Sequence, residues 1–124
     1  MIQVVTHSTE EQERLREAFR ACPDDFELMH EAINSGLVSL YLIEGDGYRL
    51  VVAGEVIGND YFVWAVEGKG AVKATRELAV YVKNGGLHAI TTKTYFPLVA
   101  RLLKRLGNVS TIEQGDHQLL RWEV

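Results

Sequence analysis

The spacing of apolar residues along the chain switches between the period of a strand and the period of a helix. Residues 2–6 form a short strand-like run, and three longer runs cover 38–44, 48–57 and 61–66. Only short turns containing glycine and aspartate separate these last three runs. The pattern predicts an antiparallel meander of three strands.

Helical spacing marks four further segments. The first begins with a capping-box signal, Ser8 with Glu11 three residues on, and stops at Pro23. The remaining elements are helices at about 25–34, 71–84 and 94–106, a strand at 87–92, and a hairpin of 109–114 and 117–122. The resulting order, β-α-α-β-β-β-α-β-α-β-β, predicts one mixed α/β domain over residues 1–124.

Composition favours a soluble intracellular domain. Hydrophobic residues make up 47% and charged residues 24% of the chain, both near globular averages. No apolar run approaches the ~20 residues of a membrane span, and the basic-then-apolar layout of a signal peptide is missing. The single cysteine, Cys22, fits a reducing compartment. We therefore expect a cytoplasmic protein with no membrane partner.

Charge is distributed unevenly along the chain. The net charge is −4, yet residues 1–68 carry four Lys/Arg against thirteen Asp/Glu, and residues 69–105 carry eight Lys/Arg against one acid. A basic block of this kind attracts a polyanionic ligand. Alternatively, these residues are the solvated faces of two amphipathic helices, and both interpretations stay open here.

The basic block begins where a strand-like run meets Gly68-Lys69-Gly70 and a helical pattern follows. The glycines permit a tight turn and let backbone N–H groups approach a ligand. The start of the next helix adds about half a positive charge and unpaired N–H donors. This combination suits a phosphate or pyrophosphate, although the spacing matches neither a Walker A loop nor a dinucleotide fingerprint.

The element order, with a glycine loop after the fourth strand, resembles the GNAT N-acyltransferase superfamily over almost the whole chain. The resemblance implies a GNAT-like acyl-CoA N-acyltransferase fold, in which a central, mostly antiparallel sheet is flanked by about four helices. In that family the fourth strand splays from the fifth, and acetyl-CoA lies in the wedge between them.

The resemblance also implies a cofactor site. The family loop (Gln/Arg)-x-x-Gly-x-(Gly/Ala), which wraps the pyrophosphate, corresponds to residues 65–70, with Ala65 in place of Gln/Arg and Glu67 beside the expected phosphate. The implied cofactor is acetyl-CoA or CoA. Its implied binding residues are Ala65, Val66, Gly68, Lys69, Gly70, Ala71, Lys73 and Arg76, with Lys73 or Arg76 on the 3′-phosphate.

The catalytic half of the resemblance departs from the family pattern. Across the last predicted helix, Leu103 stands where the family has the tyrosine that protonates the departing thiolate. Amine acylation also needs a base. Glu55 and Asp60 lie where family members often place it, and Tyr61 and Tyr95 are substitute acids. For each of these residues, an ordinary role in a turn, on a strand face or in the core is the alternative.

Two functions follow from these observations. The first is an acetyl-CoA- or acyl-CoA-binding N-acyltransferase with degenerate catalytic motifs and an unknown amine acceptor. The second is a non-catalytic GNAT-fold binding or structural module with a protein partner, since the chain is also similar to short degenerate GNAT-like proteins of tailed bacteriophages. A phage protein of that kind would be either a component of the virion, and therefore virion-associated, or a protein that interacts with the host.

Other partners are weakly supported. The four histidines are scattered and Cys22 has no ligand neighbour, so we expect no metal site. The negative net charge and the lack of a stacking platform argue against nucleic acid. The C-terminal strand could pair across a homodimer.

Overall fold

The computed structural model describes residues 1–94, 107 and 109–124. Its elements are β1 (Ile2–Val4), α1 (Thr9–Arg14), a 3₁₀ helix (Leu15–Phe19), α2 (Asp24–Asn34), β2 (Ser39–Gly45), β3 (Tyr48–Ile57), β4 (Asp60–Lys69), α3 (Ala71–Asn84), β5 (Ala89–Thr94), β6 (Val109–Gln114) and β7 (His117–Glu123). The predicted element order is confirmed in this part of the chain. The helix predicted at about 94–106 falls almost entirely outside the described residues.

The strands form one seven-stranded sheet in the order β1-β2-β3-β4-β5-β7-β6. β4 and β5 are parallel and all other described neighbours are antiparallel, so the sheet is mostly antiparallel, as the resemblance implies, while the parallel pair itself was not predicted. The reason lies in the connections. Tight turns join antiparallel strands, whereas the crossover through α3 returns the chain parallel to β4.

Helices cover both faces of the sheet and bury two separate cores. On one face, the 3₁₀ helix and α2 bury Leu15, Phe26 and Met29 against residues that include Leu40 and Val51 of the strands. On the other face, α3 buries its apolar stripe, Ala74, Leu78 and Val82, against a second set that includes Leu50 and Val52. Since Leu50, Val51 and Val52 are consecutive, the strand alternation divides them between the two cores.

The first predicted helix is split into two elements. Ser8 caps α1 as expected, accepting a hydrogen bond from the Glu11 amide at 3.3 Å, but α1 ends at Arg14 and a 3₁₀ helix follows. With three residues per turn, the 3₁₀ helix places Leu15 and Ala18 on one side, toward the core. Within its described residues the structure has three α-helices rather than the expected four or so, because the helix predicted at about 94–106 lies almost entirely outside them.

The end of β4 corrects the predicted glycine loop. The strand does not stop at Val66 but continues to Lys69, which pairs with Arg49 on β3. Only Gly70, in the left-handed conformation at φ 70°, separates it from α3. Gly68 has φ 139°, and a Cβ there would collide with the Arg49 carbonyl. These glycines therefore let β4 and α3 pack closely on the β2–β3 hairpin.

Candidate functional site

β4 changes its pairing halfway along. Its register with β3 shifts between the pairs Gly54↔Val63 and Ala53↔Ala65, which leaves Trp64 as an extra, bulged residue. Because of the bulge, the side chains of Val63 and Ala65 lie in different cores. Side chains two residues apart on a regular strand lie on the same face.

The parallel pairing of β4 with β5 ends at the same point. It covers only the register from Asp60↔Ala89 to Val63↔Thr92, while both strands continue beyond it. The Thr92 hydroxyl donates to the Val63 carbonyl at 3.0 Å and so fastens the last pair. Beyond Val63, no described strand pairs this edge of β4, and its N–H and C=O groups there have no partner in β5.

A cavity of about 270 Å³ occupies the gap where the two strands part. Its described lining comes from β4 (Val63, Trp64, Ala65 and Val66), β5 (Ile90, Thr92, Lys93 and Thr94), α3 (Ala71, Thr75 and Leu78), the end of the 3₁₀ helix (Ala18 and Phe19), the segment joining it to α2 (Arg20 and Cys22), the first turn of α2 (Asp25), and Val52, Val109, Leu120 and Trp122. Because α3 and the 3₁₀ helix lie on opposite faces, the cavity passes through the sheet.

The start of α3 borders the cavity, and among the described residues its first amides have no backbone partner. Gly70 offers no side-chain cap, and the first intrahelical bond of the helix is from the Ala74 amide to the Gly70 carbonyl at 3.0 Å. The amides of residues 71–73 therefore precede the helix ladder, as the first N–H groups of any helix do. Such a helix end attracts an anion through these donors and the helix dipole.

The predicted cofactor residues divide into two groups. Ala65, Val66 and Ala71 line the cavity, whereas Gly68, Lys69, Gly70, Lys73 and Arg76 do not. Lys73 is about 200° around the helix from Ala71. Its Nζ lies 3.7 Å from where a Cβ on Gly47 would stand. Lys73 therefore faces the β2–β3 hairpin rather than the cavity.

Glu67 is directed away from the expected phosphate position. The pKa of the Arg14 guanidinium on α1 is raised, first by its hydrogen bond with Glu10, then by the Glu11 charge and more weakly by Glu67. Glu67 is also the register partner of Val51, which belongs to the core under the 3₁₀ helix and α2, so Glu67 lies on the opposite face of the sheet from α3. The repulsion expected between this carboxylate and a bound phosphate is reduced accordingly.

Neither predicted base is itself in the described lining of the cavity, although Glu55 contacts Trp64, which is. Glu55 accepts a hydrogen bond from the Trp64 indole at 3.0 Å, and Asp60 pairs with Arg121 at 3.2 Å. Asp60 is at the beginning of β4, in the half that β5 still pairs. Tyr95 lies outside the described residues. The catalytic roles assigned to these three residues stay predictions.

Tyr61 is buried beneath α3, outside the cavity lining. Its ring packs edge-on against Tyr41 with the centroids 6.4 Å apart, and within the described residues its hydroxyl has no hydrogen-bond partner. Burial, with a smaller contribution from Tyr41, raises the pKa of the Tyr61 phenol far above its usual range. Its position gives no support to a role as the acid.

Sequence reasoning missed the wall formed by Arg20, Cys22 and Asp25. These residues follow the 3₁₀ helix and begin α2, and no motif distinguishes them. The 3₁₀ helix crosses β4 at the bulge, and this packing brings them to the gap between β4 and β5. A cluster of charged residues around Pro23 was the only sequence signal, and it is typical of any exposed turn.

A buried ion pair holds α1 on the sheet beside this wall. Glu11 is 7% exposed and accepts a hydrogen bond from Arg49 of β3 at 2.7 Å. Arg14 adds a second, longer contact with Glu11 at 3.8 Å. Removing one member of such a pair leaves a buried charge without compensation.

The described part of the chain contains neither a metal-binding cluster nor a helix that could span a membrane. No group of three or more His, Cys, Asp or Glu side chains is arranged there to hold a metal ion. No described helix is long and apolar enough to cross a membrane.

Comparison with known proteins identifies the fold. No protein-family model and no curated protein matches the chain. Among solved structures, it is similar to a Bacillus subtilis acetyltransferase in complex with CoA (12% identity, TM-score 0.65, 99% of this chain and 97% of that one). The PaiA N-acetyltransferase of Thermoplasma acidophilum, in complex with coenzyme A, matches at 11% identity and TM-score 0.60 over 100% and 99%. An acetyltransferase of the GNAT family from Staphylococcus aureus matches at 14% identity and a TM-score of 0.58, over 99% of this chain and 99% of that one. The chain therefore has the GNAT fold.

Proposed function

We propose that this protein binds acetyl-CoA or another acyl-CoA between β4 and β5 and transfers the acyl group to an amine. The observation that carries the proposal is the end of β4–β5 pairing at Val63, where a cavity opens beside the start of α3. Two proteins of the same fold are solved with CoA. This similarity supports the choice of ligand.

The residues at the gap fit the parts of a CoA ester. The β4 edge at 64–66 offers unpaired backbone groups to the amides of the pantetheine arm. The largely apolar lining suits the methylene chain and excludes water from the thioester. The amides at 71–73 and the helix dipole suit the pyrophosphate. Because β4 continues to Lys69, these helix amides replace the longer phosphate loop that the resemblance implies.

The chain must supply positioning and proton transfer. When bound, an acyl-CoA provides a thioester whose carbonyl carbon the acceptor nitrogen attacks, with the thiolate as leaving group. The β4 edge would hold the acyl arm, while a base must remove a proton from the acceptor nitrogen. Glu55, Asp60 and Tyr95 remain the proposed candidates for proton transfer. Glu55 and Asp60 are not in the described lining of the cavity, and Tyr95 lies outside the described residues.

Ala71→Glu tests the binding site directly. The new carboxylate would lie at the first position of α3, where it favours the helix but repels a phosphate. We expect acetyl-CoA affinity to fall about tenfold or more, with no loss of thermal stability. Val80→Glu, on the exposed far part of α3, is the matched control. Affinity is measured by a two-dimensional NMR titration of the labelled protein, with ATP as a polyanion comparison.

The titration also separates the two functions. Saturable shifts around residues 64–73 with acetyl-CoA, lost in Ala71→Glu and kept in Val80→Glu, support the CoA site. Equal affinity in the two variants contradicts it. Binding without acyl transfer to any amine would favour a non-catalytic module, including the phage-like kind that the sequence resemblance suggests.

A further inference from the structure

The two carboxylates predicted as bases have different partners. Asp60 is paired with the Arg121 guanidinium at 3.2 Å, and Arg121 also pairs with Glu123 at 3.0 Å. A proton arriving at Asp60 would therefore compete with a side chain that stays positively charged at any physiological pH. Among the described residues Glu55 pairs with no cation, and its one hydrogen-bond donor is the Trp64 indole at 3.0 Å. Glu55 can thus accept a proton without breaking an ion pair.

Trp64 connects Glu55 to the cavity. It is the extra residue of the β4 bulge and lines the cavity where β5 leaves the strand. A bulge changes the direction of a side chain relative to its neighbours. Phe62, the register partner of Glu55, packs edge-on against the indole with the ring centroids 6.4 Å apart, and Trp64 also packs on the core under the 3₁₀ helix and α2. These contacts fix the indole, whose N–H holds Glu55 one hydrogen bond from the cavity wall.

From these contacts we infer that Trp64 is a positioning residue, which holds the Glu55 carboxylate at the cavity wall so that Glu55, and not Asp60, takes the proton of the acyl acceptor. The inference rests on the proposed acyltransferase function. Glu55 takes the proton that the acceptor nitrogen loses as it bonds to the thioester carbonyl carbon, directly or through one water. The C–S bond breaks in the same reaction, and its electron pair leaves on the CoA sulfur.

A double-mutant cycle tests the positioning role. Trp64→Phe keeps an aromatic ring beside Phe62 and removes the N–H donor. The assay uses acetyl-CoA with the best acceptor from a panel of pentylamine, spermidine and an alanine-terminated peptide. Trp64→Phe should lower kcat about tenfold and change the KM for acetyl-CoA less than about threefold, because a misplaced base slows the reaction without weakening binding. In the Glu55→Gln background the same substitution should change kcat less than about twofold, because the base is already lost.

Asp60→Asn provides the matched background. Trp64→Phe should keep its cost of about tenfold there, because Asp60 pairs with Arg121 and not with the indole. A cost that is as large in the Glu55→Gln background as in the Asp60→Asn background overturns the inference. So does a cost that disappears in the Asp60→Asn background alone.

Added formate gives a second readout, which a purely structural role would not change. Glu55→Ala removes the carboxylate from the indole N–H, and formate is small enough to take its place. We expect formate to raise the kcat of Glu55→Ala about tenfold and that of the double variant Glu55→Ala/Trp64→Phe less than about twofold, because the indole holds the carboxylate. Equal rescue of the two variants, or no rescue of Glu55→Ala, contradicts the inference.

A measurement without turnover separates the inference from the proposed function. Trp64 and Trp122 give two indole N–H signals in the NMR spectrum, and the signal lost in Trp64→Phe belongs to Trp64. Its hydrogen exchange should become about tenfold faster in Glu55→Ala and stay within about twofold in Asp60→Asn. Equal exchange in the wild-type protein and Glu55→Ala overturns the inference alone. If acetyl-CoA binds but no amine of the panel is acylated, the transferase function fails and the inference fails with it.

Discussion

The two halves of β4 belong to one strand and have different surroundings. From Asp60 to Val63 the strand is paired on both sides, by β3 and by β5. After the bulge at Trp64, residues 65–69 are paired by β3 alone among the described strands, and residues 64–66 line the cavity. The first half buries its backbone in the sheet, and the second leaves backbone groups available to a ligand. A change in pairing, rather than a special residue, thus makes the site.

The largest expected effect on stability comes from a substitution in the second half of β4, which β5 does not pair. Gly68→Ala forces a side chain onto a backbone with φ 139° and against the Arg49 carbonyl. We expect a loss of about 3 kcal/mol in the free energy of unfolding, measured with urea, because strain and a backbone clash combine.

Gly58→Ala controls for the backbone strain alone. Gly58 has φ 62°, and no atom lies within 4 Å of an added Cβ. Its expected cost is about 1 kcal/mol. Equal losses in the two variants would mean that packing of β4 on the hairpin contributes nothing.

A smaller effect is expected at the boundary between the two halves. Thr92→Val removes the hydroxyl that donates to the Val63 carbonyl and keeps the shape of the side chain. The expected cost is about 1 kcal/mol, the net value of one hydrogen bond. Faster hydrogen exchange at the β4 and β5 amides around this pair should accompany it. Thr91→Val, one residue earlier on β5, should cost less, and the reverse order would contradict the assigned bond.

The smallest effect on stability is expected in the first half of β4, which both β3 and β5 pair. Tyr61→Phe removes a buried hydroxyl that has no partner within the described residues. We expect the free energy of unfolding to be unchanged or to rise by up to about 1 kcal/mol, because no hydrogen bond is lost. Acyl transfer, assayed alongside, should also be unchanged. A large loss of activity would instead favour the sequence-based option of Tyr61 as an acid.

Much of the fold was predictable because its signals are local. Ser8 caps α1, the strand-like runs pair as a meander, and Phe26, Met29 and Ile33 are buried on α2 as their spacing indicates. The split of the first helix was not predictable, because the 3₁₀ turn depends on how Leu15 and Phe19 meet the sheet. The continuation of β4 to Lys69 was not predicted, because a glycine such as Gly68 is typical of a turn and only its pairing partner shows that it belongs to a strand.

The sequence by itself determined the order of elements, the amphipathic stripes and the separation of acidic from basic segments, because each depends on neighbours within a few residues. Only the tertiary structure decided where β4 leaves β5, which way Lys73 and Glu67 face, and that Asp25 reaches the gap. Those features depend on register and packing between segments distant in the chain. The pattern of residues within a single segment determines neither its register nor its packing.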